Sequence, residues 1–144
     1  MTGIIPTDQS RVAARWTPAL MKRWVPVSSY FLANYHRLPL GQQPTGLTSS
    51  EVLLLLHLLD YKWDEKAPWP SLAVLARRMG VTRRAARMTL AKLEEKGLLR
   101  RAMPTGAIRT SRYHIEGLFE QLEALQAGDE AKEKVARITS RGPR

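Results

Sequence analysis

Residues 71–112 concentrate the side chains of this sequence that could take part in chemistry. They hold eleven Lys or Arg against two Glu, a net charge of +9, while the whole 144-residue chain carries +10. Because apolar residues are interleaved with the basic ones, we expect a basic face on a folded domain. Such a face attracts polyanions, which points to nucleic acid or an acidic membrane surface; a solvated face without a partner is the alternative.

The residues and motifs that enzymes use for catalysis are missing or scattered in this sequence. The sequence contains no cysteine, no Gly-x-x-x-x-Gly-Lys loop that would bind phosphate and no His-Glu-x-x-His motif. The three histidines lie in different predicted elements: His36, His57 and His114. The carboxylates at and after the end of the central helix have no neighbour that could activate them for catalysis: Asp60, Asp64 and Glu65. The sequence therefore predicts no catalytic group, no metal site and no cofactor.

The location of the protein is predicted from what the sequence lacks. The longest apolar run, residues 52–59, is interrupted by His57 and is too short to span a bilayer. The first residues do not have the pattern of a secretion signal, and the absence of cysteine suits a reducing compartment. We expect a cytoplasmic, nucleoid-associated protein.

Two short helices joined by a tight turn would position the basic residues. Ser71 is the predicted N-cap of the first helix, and Gly80 ends it. Thr82 caps the second helix only two residues later, and Gly97 ends it. The apolar positions at helical spacing are Leu72, Leu75, Ala76 and Met79 in the first helix and Ala86, Leu90 and Leu93 in the second. This arrangement predicts a helix-turn-helix.

The elements on either side complete a small domain. Thr48 and Glu51 form a capping box at the start of a buried central helix that ends near Tyr61. A short helix is predicted within residues 24–40, and a hairpin is predicted from residues 98–102 and 108–115. A final helix ends near Gly128. The fold class is mainly α with a small β-hairpin.

The chain divides into three predicted parts. Residues 1–20 form a mobile basic N-terminal arm, because prolines and polar residues dominate them. Residues 21–127 form the folded domain, for which the basic face predicts nucleic-acid binding, with its core at residues 47–115. Residues 128–144 form a mobile polar C-terminal tail.

Residues 69–99 resemble bacterial winged helix-turn-helix DNA-binding proteins, the type found in plasmid and phage replication initiators and small transcription regulators. The shared pattern is a Pro-Ser entry, a Leu-Ala pair, a Gly-Val-Thr turn, a basic helix and then Leu-Glu-x-x-Gly-Leu-Leu. The resemblance extends over residues 47–115 and is specific for fold and nucleic-acid binding, but not for biological role. Ala85 and Ala86 depart from the usual Thr-Val pair, so the second helix packs with less side chain.

The resemblance implies that residues 82–96 form a recognition helix in the major groove of duplex DNA. The residues expected to contact bases are Thr82, Arg83, Arg84, Arg87 and Met88. The residues expected to contact the DNA backbone, from the first helix and the wing, are Arg77, Arg78, Arg101, Arg109 and Arg112. Contacts with phosphates alone, which give affinity without sequence preference, are the alternative.

Three functions remain open for such a protein. The first is sequence-specific DNA binding as a transcription regulator, the second is an accessory role in replication or in a mobile element, and the third is a protein adaptor. A regulator would form a homodimer through Leu118, Leu122 and Leu125, whereas a recruiting factor would offer the aromatic segment 16–35 to a protein partner. Either stretch could instead pack on its own domain.

Overall fold

The computed structural model describes residues 15–62, 70–102 and 112–141. Within these ranges the chain forms five α-helices and one antiparallel pair of strands: α1 (Ser29–Asn34), α2 (Ser49–Asp60), α3 (Leu72–Met79), α4 (Arg83–Glu95), β1 (Arg100–Ala102), β2 (Arg112–His114) and α5 (Glu116–Arg141). Two 3-10 helices, Leu20–Lys22 and Tyr35–Arg37, flank α1. The predictions for residues 1–14, Asp64, Glu65 and Arg109 lie outside the described residues.

Side-chain caps start the three helices at the centre of the fold, as the sequence predicts. The Thr48 hydroxyl accepts a hydrogen bond from the Glu51 amide (3.1 Å), and the Glu51 carboxylate accepts one from the Thr48 amide (2.8 Å), which completes the capping box. Ser71 and Thr82 each accept a bond of 3.1 Å from the amide three residues on, at the starts of α3 and α4. Gly80 ends α3 in the left-handed conformation, with φ of 68°.

The core forms around α2, which lies against both α3 and α4. The predicted inward positions of the helix-turn-helix are confirmed, because Leu75, Ala76, Ala86, Leu90 and Leu93 are all buried. Leu75, Leu90 and Leu93 pack in one cluster with the fully buried leucines of α2, which are Leu54, Leu55 and Leu58. The apolar residues of the central helix are buried or half-buried as predicted, except for Leu53, which remains 50% exposed.

The hairpin closes the core on the side of the C-terminal helix. Arg101 pairs with Tyr113 in the antiparallel register; β1 begins at Arg100 rather than at residue 98, and β2 ends at His114 rather than at residue 115. Tyr113 and Ile115 share one face and are buried, as expected from their alternate spacing. Leu98 and Leu99 are buried just before β1, so this stretch fills the core without pairing as a strand.

The C-terminal helix differs from prediction at its end. It continues through Gly128 to Arg141, a length of 26 residues. A single glycine inside a helix costs only about 1 kcal/mol, which the surrounding helix-forming residues can offset, so Gly128 does not terminate it. The part of the chain that the structure describes contains no helix that is long and apolar enough to cross a membrane.

The leucine stripe of α5 packs on its own domain. Leu118 is 1% exposed and belongs to the core, and Leu122 and Leu125 are half-buried against that core. This packing supports the alternative interpretation, in which the stripe covers its own domain, and a homodimer through Leu118, Leu122 and Leu125 stays a prediction. An apolar stripe indicates that a face is covered but does not indicate by which element.

Candidate nucleic-acid interface

The basic residues of α4 lie on the side of the helix that faces away from the core. Arg83, Arg84 and Arg87 are exposed, and Met88 is 55% exposed. Ala86, Leu90 and Leu93 hold the opposite side of α4 in the core, so the helical period turns the predicted base-contacting side chains outward. The structure therefore gathers these predicted residues on one accessible face.

Among the described residues, no acidic side chain neutralises the charge of this face. Arg83, Arg84 and Arg87 make no ion pair with any residue in the described ranges. The first turn of α4 contains no acidic residue, and its free amide groups add the positive end of the helix dipole. Glu94 and Glu95 lie in the last turn, away from the arginines. The N-terminal half of α4 is a compact positive surface.

The two predicted backbone-contacting arginines of α3 differ in their surroundings. Arg77 is exposed, whereas the Arg78 guanidinium lies 2.7 Å from the Asp60 carboxylate and 5.0 Å from the centre of the Tyr61 ring. The hydrogen bond to Asp60 raises the pKa of Arg78. Arg23 lies over the same ring at 5.5 Å and donates to the Asp60 carbonyl, so Arg78 forms part of a bridge between the N-terminal segment and α2.

The described wing arginines lie on the two strands. Arg101 is half-buried opposite Tyr113, and Arg112 is half-buried opposite Ala102. Both make contacts within the molecule. The tip of the hairpin, which includes Arg109, lies outside the described residues.

Comparison with known proteins identifies the fold. Residues 45–99, less than half of the chain, match a family model described as a helix-turn-helix domain. The crystal structure of the N-terminal domain of DnaD protein from Geobacillus kaustophilus HTA426 is similar to 86% of this chain and 96% of that one, with 25% identity and a TM-score of 0.60. The chain is a winged helix-turn-helix protein. In this fold α4 is the second helix of the helix-turn-helix, the helix for which the sequence predicts the recognition role, and we call it the recognition helix.

A curated relative matches a smaller part of the chain. Protein YmfN of Escherichia coli (strain K12) is 34% identical over 61 residues, which are 42% of this chain but only 13% of YmfN. The winged-helix fold and the helix-turn-helix match together support DNA binding.

A buried ion pair that sequence analysis missed supports the recognition helix. Lys96, the C-cap of this helix, donates to both carboxylate oxygens of Glu51 at 2.8 and 2.7 Å, and to the Gly46 carbonyl at 3.3 Å. The Glu51 side chain is 1% exposed. Gln121 of α5 donates to the Lys96 carbonyl and accepts from the Leu40 amide. The end of the recognition helix is thus tied to three other parts of the fold.

A second missed cluster links the first and last helices. The Arg37 guanidinium makes two hydrogen bonds of 2.8 Å with the Asp129 carboxylate, which also accepts from the Tyr30 hydroxyl. The bonds from Arg37 and then Tyr30 hold the pKa of Asp129 well below its usual range. This cluster fixes the middle of α5 against the residues around α1.

The predicted N-terminal aromatic segment does not form a single surface. Trp16 is 69% exposed, but Phe31 is buried and Tyr35 packs against it with ring centroids 6.2 Å apart. Phe31 therefore belongs to the core, and Tyr35 packs against that core. His57 is half-buried in α2, where burial and then the charge of Arg78 lower its pKa, consistent with a boundary residue.

Proposed function

We propose that this protein binds duplex DNA with sequence preference through its recognition helix and acts as a transcription regulator. The observation that carries the proposal is the exposed face of α4, where Arg84, Arg87 and Met88 lie opposite the buried side of the helix. Arginine can donate two hydrogen bonds to the O6 and N7 atoms of guanine, which discriminates against other bases by about 1–3 kcal/mol.

Different residues of the basic surface have different roles in this proposal. Arg83, at the start of α4, and Arg84 approach base edges, because the N-terminal part of a recognition helix enters the major groove. Thr82 uses its hydroxyl to cap the helix and stays at the groove edge. Contacts with phosphates are assigned to Arg77, Arg78, Arg101, Arg109 and Arg112, which set the orientation of the protein on the duplex.

The biological role is tested by finding the DNA that the protein selects. Purified full-length chain is mixed with fragments of its own genome, and the retained fragments are sequenced. One palindromic site near its own gene supports a regulator, whereas a repeated array at an origin or at the end of an element supports the replication or mobile-element role. Retention of fragments without any shared sequence contradicts sequence-specific binding.

The role of the recognition helix is tested with a matched pair of arginine variants. On the selected site, Arg84→Ala should weaken binding by about 1–3 kcal/mol, with a much smaller effect on random duplex DNA. Arg77→Ala should weaken both by a similar factor and reduce the salt slope by about one, since each phosphate contact contributes about −0.9 to it. The measurement is fluorescence anisotropy over a series of salt concentrations.

Two results would contradict this assignment. The first is an equal loss of affinity in Arg84→Ala for the selected site and for random duplex DNA, which would mean that Arg84 contacts the DNA backbone. The second is a DNA affinity of the unmodified protein that is the same at low and physiological salt. Several phosphate contacts should give a slope of log affinity against log salt concentration steeper than about −3. A flat dependence would therefore contradict DNA binding and favour the protein-adaptor function. Both arginines are exposed, so thermal melting should show that neither substitution unfolds the domain.

A further inference from the structure

The C-terminal helix has a second long face that nothing in the described part of the chain covers. Leu118, Leu122, Leu125 and Asp129 are spaced by four, three and four residues and pack on the domain. Ala124, Ala131, Val135 and Ile138 lie on another side of the helix, at spacings of seven, four and three residues. All four are exposed, Val135 by 61% and Ile138 by 65%. We call these four residues the outer face of α5.

The charges of α5 are divided along its length. Residues 116–128 contain three Glu and no Lys or Arg. Residues 129–141 contain four Lys or Arg against three acids, and one of those acids, Asp129, is already bound by Arg37. Beside the outer face, Glu120 in the first half and Lys134 in the second lie on the same edge, because two heptads separate them. Both are exposed.

We propose that the outer face of α5 is an interface with a second copy of this chain, in which the two α5 helices pack antiparallel. In this direction the basic half of each helix lies beside the acidic half of the other, whereas parallel packing would set the acidic halves side by side. A crossing near Gly128 brings Lys134 of each copy to Glu120 of the other and packs Ala131 of each copy near Ala124 of the other. The complementary charges therefore favour a second copy in this orientation.

The interface leaves the other contacts of the helix unchanged. Asp129, which holds Arg37 and Tyr30, lies on the side of α5 away from Ala131 and Ile138. The buried Leu118 also remains in its own core. The proposal does not depend on DNA binding, so either can fail without the other.

A charge-exchange experiment on the full-length chain tests both the interface and its direction. By sedimentation equilibrium, the unmodified chain should be a dimer at about 100 μM. The Glu120→Lys and Lys134→Glu variants should each dimerise at least about tenfold more weakly, because each replaces two attractive pairs with two repulsive ones. An equimolar mixture of the two variants should recover the dimer, since every pair across the interface is then of opposite sign.

Two further variants separate the interface from general effects of charge and folding. Glu133→Lys makes the same charge change on the opposite side of the helix and should leave the dimer constant unchanged. Val135→Glu with Ile138→Glu should give a monomer with an unchanged melting curve for the domain, because neither residue belongs to its core. A monomeric unmodified chain at this concentration, or a mixture of the two charge variants that stays monomeric, would overturn the proposal.

Discussion

The side-chain nitrogen of Lys96 lies 2.7 Å from a carboxylate oxygen of Glu51, which joins the end of the recognition helix to the first turn of α2. The carboxylate serves two purposes, because it also accepts from the Thr48 amide in the capping box. A carboxylate that is 1% exposed must be paired and hydrogen-bonded to remain charged. The position of the recognition helix is therefore coupled to the start of the central helix.

Removing the lysine from this pair should destabilise the domain strongly. We expect Lys96→Met to lower the free energy of unfolding by about 3 kcal/mol, since it leaves the Glu51 charge buried without its partner. Urea unfolding measures this change. Lys92→Met, an exposed position on the same helix, is the control and should change stability by less than about 0.5 kcal/mol. Equal effects of the two substitutions would show that the ion pair has no special role.

The same pair should make stability depend on pH. Burial raises the pKa of Glu51, but hydrogen bonds from Lys96 and Thr48 outweigh it and hold the pKa below the ordinary 4.5. A carboxyl group with a lowered pKa in the folded state contributes stability above its unfolded pKa and loses it as the pH falls through the folded pKa. Unfolding curves below pH 4.5 should therefore show a loss of stability that is smaller in Lys96→Met. An identical pH profile in the variant would contradict this.

Gly117 at the start of α5 should tolerate no side chain. A Cβ atom there would overlap the carbonyl oxygen of Gly97, where the chain leaves the recognition helix. Because the obstacle is backbone, Gly117→Ala should lower the free energy of unfolding by about 3 kcal/mol. Gly128→Ala in the same helix meets nothing within 4 Å and should raise it by about 0.5–1 kcal/mol. Thermal melts of both variants give the comparison, and a change of the same sign in both would contradict it.

The hydroxyl group of Tyr113 should be dispensable for folding. The side chain is fully buried, and its oxygen has no hydrogen-bond partner among the described residues. Tyr113→Phe should therefore keep or increase stability, by up to about 1 kcal/mol. Tyr30→Phe is the matched control and should lower the melting temperature, because the Tyr30 hydroxyl donates to Asp129. A large loss of stability in Tyr113→Phe would reveal a partner for its hydroxyl.

Met88 should recognise a thymine methyl group if the recognition helix enters the major groove. It is an exposed apolar side chain one turn from Arg84, and apolar contact with the 5-methyl group identifies thymine. Replacing that thymine with deoxyuracil in the selected site should weaken binding about fourfold, the equivalent of about 0.8 kcal/mol for one methyl group. In Met88→Ala the same replacement should have no further effect. If each thymine replacement acts equally on both proteins, Met88 does not contact a methyl group.

The sequence predicted best those features that depend on neighbouring residues. The caps at Thr48, Ser71 and Thr82 need only amides three residues away, so their pattern is visible in the sequence. The inward side of α4 follows from the helical period, and the exposure of Arg84 and Met88 follows in turn. The contact of these side chains with DNA bases stays a prediction.

Features that join distant parts of the chain could not be predicted. Lys96 and Glu51 are 45 residues apart, and Arg37 and Asp129 are 92 residues apart. No local pattern in the sequence indicates which basic side chain pairs with which acidic side chain. The leucines of α5 were assigned to a second copy because periodicity cannot identify the surface that covers them. Gly128 was taken as the end of the helix because glycine favours ends, although its cost inside a long helix is small.

The length of α5 also sets how far apart the two domains of an antiparallel dimer would lie. At about 1.5 Å per residue, its 26 residues extend about 39 Å, and the domain holds only the part up to Asp129. Two antiparallel copies that cross near Gly128 would set their Gly117 ends about 33 Å apart. One turn of B-DNA measures about 34 Å, the usual distance between half-sites read by a two-fold protein. Inserting one heptad between Gly117 and Gly128 would then lengthen the preferred spacing between half-sites, although none of the added residues would approach the DNA.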